Sequence, residues 1–453
     1  DLYGDEANYY YTITHCDYDW KKSQLNINEY IQGLDNQRII DYQNSFNCLQ
    51  IYSHYTLSFP NKFTSIKLSG NYMIKILDED KNIVFSRKFI VFEDLCTIPI
   101  QVKRSRDMKT VNTKHNLDFS IKSNMEFQNP IQNVKVLLMQ NGHWPSAIYN
   151  VKPQYTIGTE LIYKYNQETQ FWAGNEFRFW DNKDLRAASN TVNRVQLQNI
   201  YHSHLYTAQP RGNFPYTFYP DANGTFIPRN INSVQPNIEA DYAWVFVYLD
   251  APAFFEKNDI YVTGMFNNYA MLEDNKMRFN KETNLYEGTI LAKQGFVNYQ
   301  FTIADKKGNI DYENTLDGNF FQTENDYFCI VYYRANNDRF DRVIENKDSL
   351  QVDQRILSFV GTSISVFIAG STWEVDEKII LPFINSTKFE KTIIAPHSID
   401  EKHIQSPNNE TMDVTKAHRP ALDVWTIYSL LAHVSCGSHS YTIYIQVGGL
   451  VIF

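Results

Sequence analysis

Long apolar runs are missing from this chain of 453 residues. None approaches the roughly eighteen residues that would cross a bilayer as a helix, so no direct membrane span is expected. Cysteine is scarce: Cys16, Cys48, Cys96, Cys329 and Cys436 lie far apart and never at CxxC spacing. That excludes the usual zinc and dithiol redox sites and favours buried free thiols, with a Cys16–Cys48 disulfide open only to an oxidising compartment. Basic clusters are missing too. With a net charge of −9 and no run longer than Lys103-Arg104-Ser105-Arg106, the chain is a poor ligand for a phosphate backbone, and no nucleic-acid partner is expected. The opening Asp1-Leu2-Tyr3-Gly4-Asp5-Glu6 is not a basic-then-apolar leader; it reads as if cut in mid-domain, so an export signal is expected upstream or not at all.

Aromatic residues are abundant. Tyr and Phe carry most of a 15% aromatic share against 21% charged residues, a bias towards pleated, half-buried positions. The length predicts about three domains. Between Asn8 and Asn61 the aromatics fall at strand spacing, and Trp20, Tyr30, Tyr42 and Tyr55 are candidate partner-binding residues of an adhesive sandwich surface, although a share of them is expected to fill its core.

Alternation continues along the chain. Ser65 to Ile76 alternates, Asp78-Glu79-Asp80-Lys81-Asn82 is a hairpin turn, and Ile83 to Phe92 resumes. The three carboxylates of that turn lack the spacing and the glycine of a calcium loop. Val102 to Thr113 reads as a polar, basic linker. Strands at Leu117–Ile121, Val134–Asn141, Leu161–Tyr165 and Asn175–Trp180 predict a second sandwich, and His202-Ser203-His204 reads as surface histidines because no third ligand accompanies them. From Tyr242 a third β unit runs through Gly264-Met265-Phe266-Asn267-Asn268-Tyr269 to Gly295–Phe301. It resembles the early-set sandwich of carbohydrate-binding modules, with Tyr269 standing where those modules keep a sugar-stacking Trp.

The opening stretch carries a denser resemblance. His15-Cys16-Asp17, Asp19-Trp20, Glu29-Tyr30-Ile31, Ile39-Ile40-Asp41-Tyr42, Tyr52-Ser53-His54-Tyr55 and Phe59-Pro60-Asn61 resemble the N-terminal domain of the plug proteins of the bacterial type IX secretion system. The likeness continues through Leu68–Tyr72, Gln128–Pro130, Gln140–Gly142, Gly174–Arg178, Leu316–Phe320 and Val331–Arg334, covering roughly residues 1–340. It implies a periplasmic protein at the outer membrane whose partner is the large β-barrel translocon, and it implies that part of the first sandwich lies upstream of Asp1.

After Arg339 the pattern changes. Ile364–Ala369 and Lys391–Pro396 read as strands, and Ser371 with Glu374 and Ser398 with Glu401 stand at capping-box spacing, which is α/β logic. Ala369–Trp373 and Ala395–Glu401 resemble part of the nucleotide-side domain of the transferase that adds 3-deoxy-manno-octulosonic acid (Kdo) to lipid A. The stretch Arg339–Ile344 suits both resemblances, so the tail is expected to be a fusion or an assembly artefact joined near Asp338–Glu345. Its acceptor half is absent, and His397 and His403 read as helix-surface residues rather than catalysts.

The expected fold is therefore mainly β: tandem Ig-like or early-set sandwiches at 1–105, 106–238 and 239–338, then an incomplete Rossmann-like α/β fragment at 339–453. The expected function is non-enzymatic, without cofactor, metal or catalytic residue: a plug that binds and closes the periplasmic opening of the translocon. A carbohydrate-binding accessory protein centred on Tyr269 is the alternative, and a transferase remnant is a weaker one.

Overall fold

The computed structural model describes residues 1–2, 6–123, 125–252 and 258–349, together with strands at 366–372, 391–396, 431–436 and 439–444. These fall into two units, Asp1–Ser349 and Leu350–Phe453. The described residues are predominantly strand, as the aromatic and β-branched content predicts.

In the first module, Tyr10–Cys16 runs antiparallel between Gln37–Arg38 and Gly70–Leu77, and Ile83–Val91 pairs on the outer side of Gly70–Leu77. Alternation puts Tyr11, Ile13 and His15 inside, against Tyr30, Ile31, Tyr72 and Ile76. The His15 ring is seated by Ser23 Oγ at 2.9 Å and by the Ser69 carbonyl at 3.2 Å. Gly70 allows that seating: its φ is +147°, and a Cβ there would lie 2.2 Å from the imidazole. The Asp78–Asn82 turn forms as expected, with Asp78 accepting the Asn82 amide at 2.8 Å.

The second module is a sandwich of two sheets. One contains Ile100–Arg104, Lys114–Ser123, Tyr155–Ile157 and Glu160–Tyr163; the other contains Ile148–Val151, Val134–Gln140, Tyr327–Tyr333 and Arg342–Ser349. Leu117, Phe119 and Ile121 meet Val134, Val136, Leu138, Cys329 and Val331 across the core. The start of the basic stretch expected to be a linker, Val102 to Arg104, is part of this sheet. Val102 packs on the core, while Lys103 and Arg106 turn to the buried Asp118 carboxylate at 2.8 and 2.7 Å, so the positive charge serves an internal carboxylate rather than a solvated connector.

The third module is a nine-stranded sheet around a separate core of Trp180, Val245, Val247, Ile260, Val262 and Phe301. Its strands include Arg178–Asp181, Val192–Leu197 and Tyr201–Leu205, the last pairing parallel with Tyr242–Leu249. The third module is thus set in the chain between two parts of the second, and a linear division at 106, 239 and 339 cuts across all three of these sheets. Sequence proximity gave no hint that Val134–Gln140 pairs with Tyr327–Tyr333, because alternation fixes a strand's face and not its partner.

Arg339–Ile344 also departs from expectation. Phe340 packs on the first core, Val343 and Ile344 are buried, and Arg342 pairs with Glu93. The division between units falls after Ser349 and not at Asp338–Glu345. In the second unit Val366–Thr372 pairs parallel with Lys391–Pro396, and Leu431–Cys436 pairs antiparallel with His439–Tyr444. Ser371 lies within a strand and not at a helix start. Glu374, His397, Ser398, Glu401 and His403, and with them both expected helices, lie outside the described residues.

Candidate interaction surface of the first module

The first module exposes more large apolar side chains than its share of the chain. Among the described residues, ten of twenty-three exposed large apolar side chains lie within residues 1–93: Leu34, Ile40, Phe46, Leu49, Ile51, Phe63, Ile83, Val84, Phe85 and Phe92. Scattered exposed Leu or Phe residues are ordinary; a concentration of them in one small module makes it the candidate interaction surface.

Two features present these residues. The first is the loop that joins Asp41–Asn44 to Ser53–Thr56. Its backbone is tied to the third module: the amides of Leu49 and Gln50 donate to the Asp241 carboxylate at 2.7 and 3.0 Å, and the Phe46 amide donates to the Ile238 carbonyl at 2.9 Å. Tyr52 is buried beside it, with its hydroxyl on the Ala240 carbonyl at 2.8 Å and the Lys293 ammonium 4.2 Å above its ring. Burial pushes that ammonium down to about 8. Polar groups thus hold the backbone while Phe46, 65% exposed, and Ile51, 59% exposed, face water. A surface held this firmly loses little conformational entropy on binding. A polar cavity of about 100 Å³ lies at the same junction, lined by Asn47, Asp184, Arg186, Tyr201 and Asp241. It is small beside the several hundred Å³ of a typical ligand pocket.

The second feature is the strand Ile83–Val91, which ends its sheet. Phe89 stacks on Tyr72 inside, but Ile83, Val84 and Phe85 are exposed on both faces of the strand. Unpaired backbone and apolar side chains coincide there, an arrangement that accepts another strand or an apolar partner.

The aromatics singled out in the sequence are mostly used inside the protein. Tyr30 is 4% exposed and belongs to the first core, its hydroxyl on the Ile13 carbonyl at 3.3 Å; it is not a surface anchor. Trp20, at φ +63° after the Asp17 turn, meets Trp144 of the second module edge-to-face at 5.0 Å, and the Lys88 ammonium sits 4.7 Å from both rings. Burial holds Lys88 below the ordinary lysine value. Tyr55 packs against Tyr9 and Tyr42 and donates to the Ala7 carbonyl at 2.7 Å, while Tyr42 donates to Glu6 at 2.6 Å; both rings are half-buried. Sequence reasoning ranked Tyr and Trp above Leu and Ile as anchors. The tyrosine hydroxyls find partners inside this fold and the Trp20 ring packs on Trp144, while Phe, Leu and Ile residues of turns and of the edge strand are left outside.

Tyr269 is buried. Its hydroxyl donates to the Asn141 carbonyl at 3.0 Å and its ring lies 4.7 Å from His143, edge-to-face, so it presents no face to a sugar. His204 is also buried, stacked on Phe246 at 4.4 Å with Nδ1 2.8 Å from the Tyr248 hydroxyl, rather than lying on the surface as expected. Cys16, Cys48, Cys96 and Cys329 are free thiols.

The first module is braced on the second as well as on the third. Asp341, almost inaccessible to solvent, accepts Lys135 at 3.0 Å, Arg334 at 3.1 Å and the Tyr18 amide at 3.1 Å, and Arg334 also reaches Asp17 at 2.5 Å.

Comparison with known proteins bears on this module directly. Residues 1–93 match the family model of the type 9 secretion system plug protein 1st domain. The crystal structure of a hypothetical protein from Parabacteroides merdae matches with a TM-score of 0.73 at 30% identity, over 76% of this chain and 88% of that one. The two chains belong to one family. The plug-protein first domain is therefore also the module that carries the dense set of exposed apolar residues. No curated protein matches the chain, and the transferase resemblance of residues 339–404 gains no support from these matches.

Proposed function

We propose that the protein is a non-enzymatic plug subunit of the type IX secretion system, acting in the periplasm at the outer membrane, where it binds and closes the opening of the large β-barrel translocon. The observation that carries the reading is the coincidence of the plug-protein first domain with the apolar set on the pinned Phe46–Ile51 loop and the edge strand at Ile83–Phe85. Closing a wide opening asks for rigid modules and a broad contact surface rather than a catalytic cleft. Burying each of these side chains at an interface contributes about 1.5–3 kcal/mol before the costs of association.

The test is co-purification of the full chain with the outer-membrane barrel. Phe46→Ser, Ile51→Ser and Phe85→Ser together are expected to abolish it while leaving the fold intact. Undiminished capture by the triple variant would reject this surface. The carbohydrate-binding alternative lacks its stacking residue, because Tyr269 is buried.

A further inference from the structure

We propose that the joint between the second and third modules is a proton-held latch, closed while Glu176 or Asp221 carries a proton and opened when both carboxylates ionise. The chain crosses between these modules twice, at residues 173–177 on the way out of the second module and at 321–326 on the way back. Glu176 lies on the first crossing. Its Oε1 accepts the amide of Glu324, on the second crossing, at 3.2 Å, and also accepts the Tyr216 hydroxyl. Asp221, on a loop of the third module, accepts the amides of Phe177 and Asn223. Around them the crossings are stapled by Thr323 Oγ1 to the Gly174 carbonyl at 2.9 Å and Asn325 Nδ2 to the Ala173 carbonyl at 2.9 Å. Asn141, at the end of a second-module strand, pairs with Asn325 at 2.7 Å and accepts the Asp326 amide at 2.8 Å.

This joint gathers four carboxylates, Glu176, Asp221, Glu324 and Asp326. None of them forms an ion pair among the described residues. The neighbouring guanidiniums are committed elsewhere: Arg178 and Arg211 both grip Asp317, and Arg211 reaches Glu176 only at its backbone carbonyl, 2.5 Å away. The other titratable groups facing the cluster are the Tyr216 and Tyr269 hydroxyls and, against Tyr269, the His143 ring. Among the described residues no cation answers a second negative charge. Burial raises Glu176 and Asp221 above the carboxylate range, reinforced by repulsion from Asp221 at Glu176 and from Asp326 and Glu324 at Asp221, and burial also raises Glu324 and Asp326. When the last of these protons leaves for water, Glu176, 1% exposed, and Asp221 are both anions at the joint, and separating the crossings is the way to hydrate them.

Hinge opening has a consequence for the exposed surface. The Phe46–Ile51 loop is tied to the third module through Asp241, whereas Trp20 and Asp17 are tied to the second. The latch itself stands independently of the plug reading.

The experiment is hydrogen exchange of the full chain between about pH 5 and pH 9, read on peptides covering 173–178 and 321–327 and corrected for the intrinsic exchange rate. The opening equilibrium is expected to rise up to tenfold per pH unit for each proton released, while peptides from Val134–Gln140 stay constant. Glu176→Gln should flatten the dependence. Tyr216→Phe, which removes a donor that favours the Glu176 anion, should shift opening to higher pH, an outcome that also decides the matter if Glu176→Gln does not fold. Opening that is independent of pH, or a dependence that neither variant alters, overturns the latch.

Discussion

Replacing Asp341 by Ala tests whether the Arg339–Ile344 stretch belongs to the first unit, against the expectation of a seam near Asp338–Glu345. The carboxylate is 1% exposed and serves Lys135, Arg334 and the Tyr18 amide together. Removing one partner of a buried ion pair typically costs about 3–5 kcal/mol, because the remaining charge stays desolvated. Here the Lys135 side chain is 18% exposed and Arg334 keeps Asp17, so the lower end, about 3 kcal/mol, is expected. Asp341→Asn retains an acceptor for the Tyr18 amide and should recover roughly 1 kcal/mol of that loss. Urea unfolding followed by tryptophan fluorescence reads the change as a lower midpoint with an unchanged slope. A loss below about 0.5 kcal/mol, the size of an ordinary surface substitution, would refute the assignment.

Three further outcomes follow from the geometry. Trp20→Ala should cost about 2–4 kcal/mol by opening a gap beside Trp144 and removing a ring from Lys88, and double-mutant cycles with Trp144→Ala should show coupling above about 0.5 kcal/mol. Tyr269→Phe should cost about 1 kcal/mol through its lost bond to Asn141, measured by thermal unfolding, and should leave glycan-array signals unchanged. Acid should destabilise the fold: burial lowers His143 to about 4 and also lowers His15 and His115, so their contribution is complete above the unfolded value near 6.5 and is lost as pH falls towards 4. Circular dichroism at stepped pH should show that loss for wild type and a smaller one for His143→Gln.

Strand positions and faces were legible in the sequence because their period is two: Tyr11, Ile13 and His15 are buried as alternation requires, and Asp78–Asn82 turns. Pairing over distance was not legible. Nothing local says that Val134–Gln140 lies beside Tyr327–Tyr333, or that Ile100–Arg104 is a strand whose flanking cations serve Asp118. The interaction surface was legible as a module and not as residues. Burial separates Tyr30, in the first core, from Phe46, whose loop is held by Asp241 and Lys293 far along the chain.

The central claim is that the first module's apolar surface docks on the type IX outer-membrane barrel. It is tested most directly by pull-down of that barrel with the full chain and with the Phe46→Ser, Ile51→Ser, Phe85→Ser variant, alongside unfolding curves for both. The account predicts capture by the wild type, none by the variant, and matching curves. Equal capture by both, or no capture by the wild type, would contradict it.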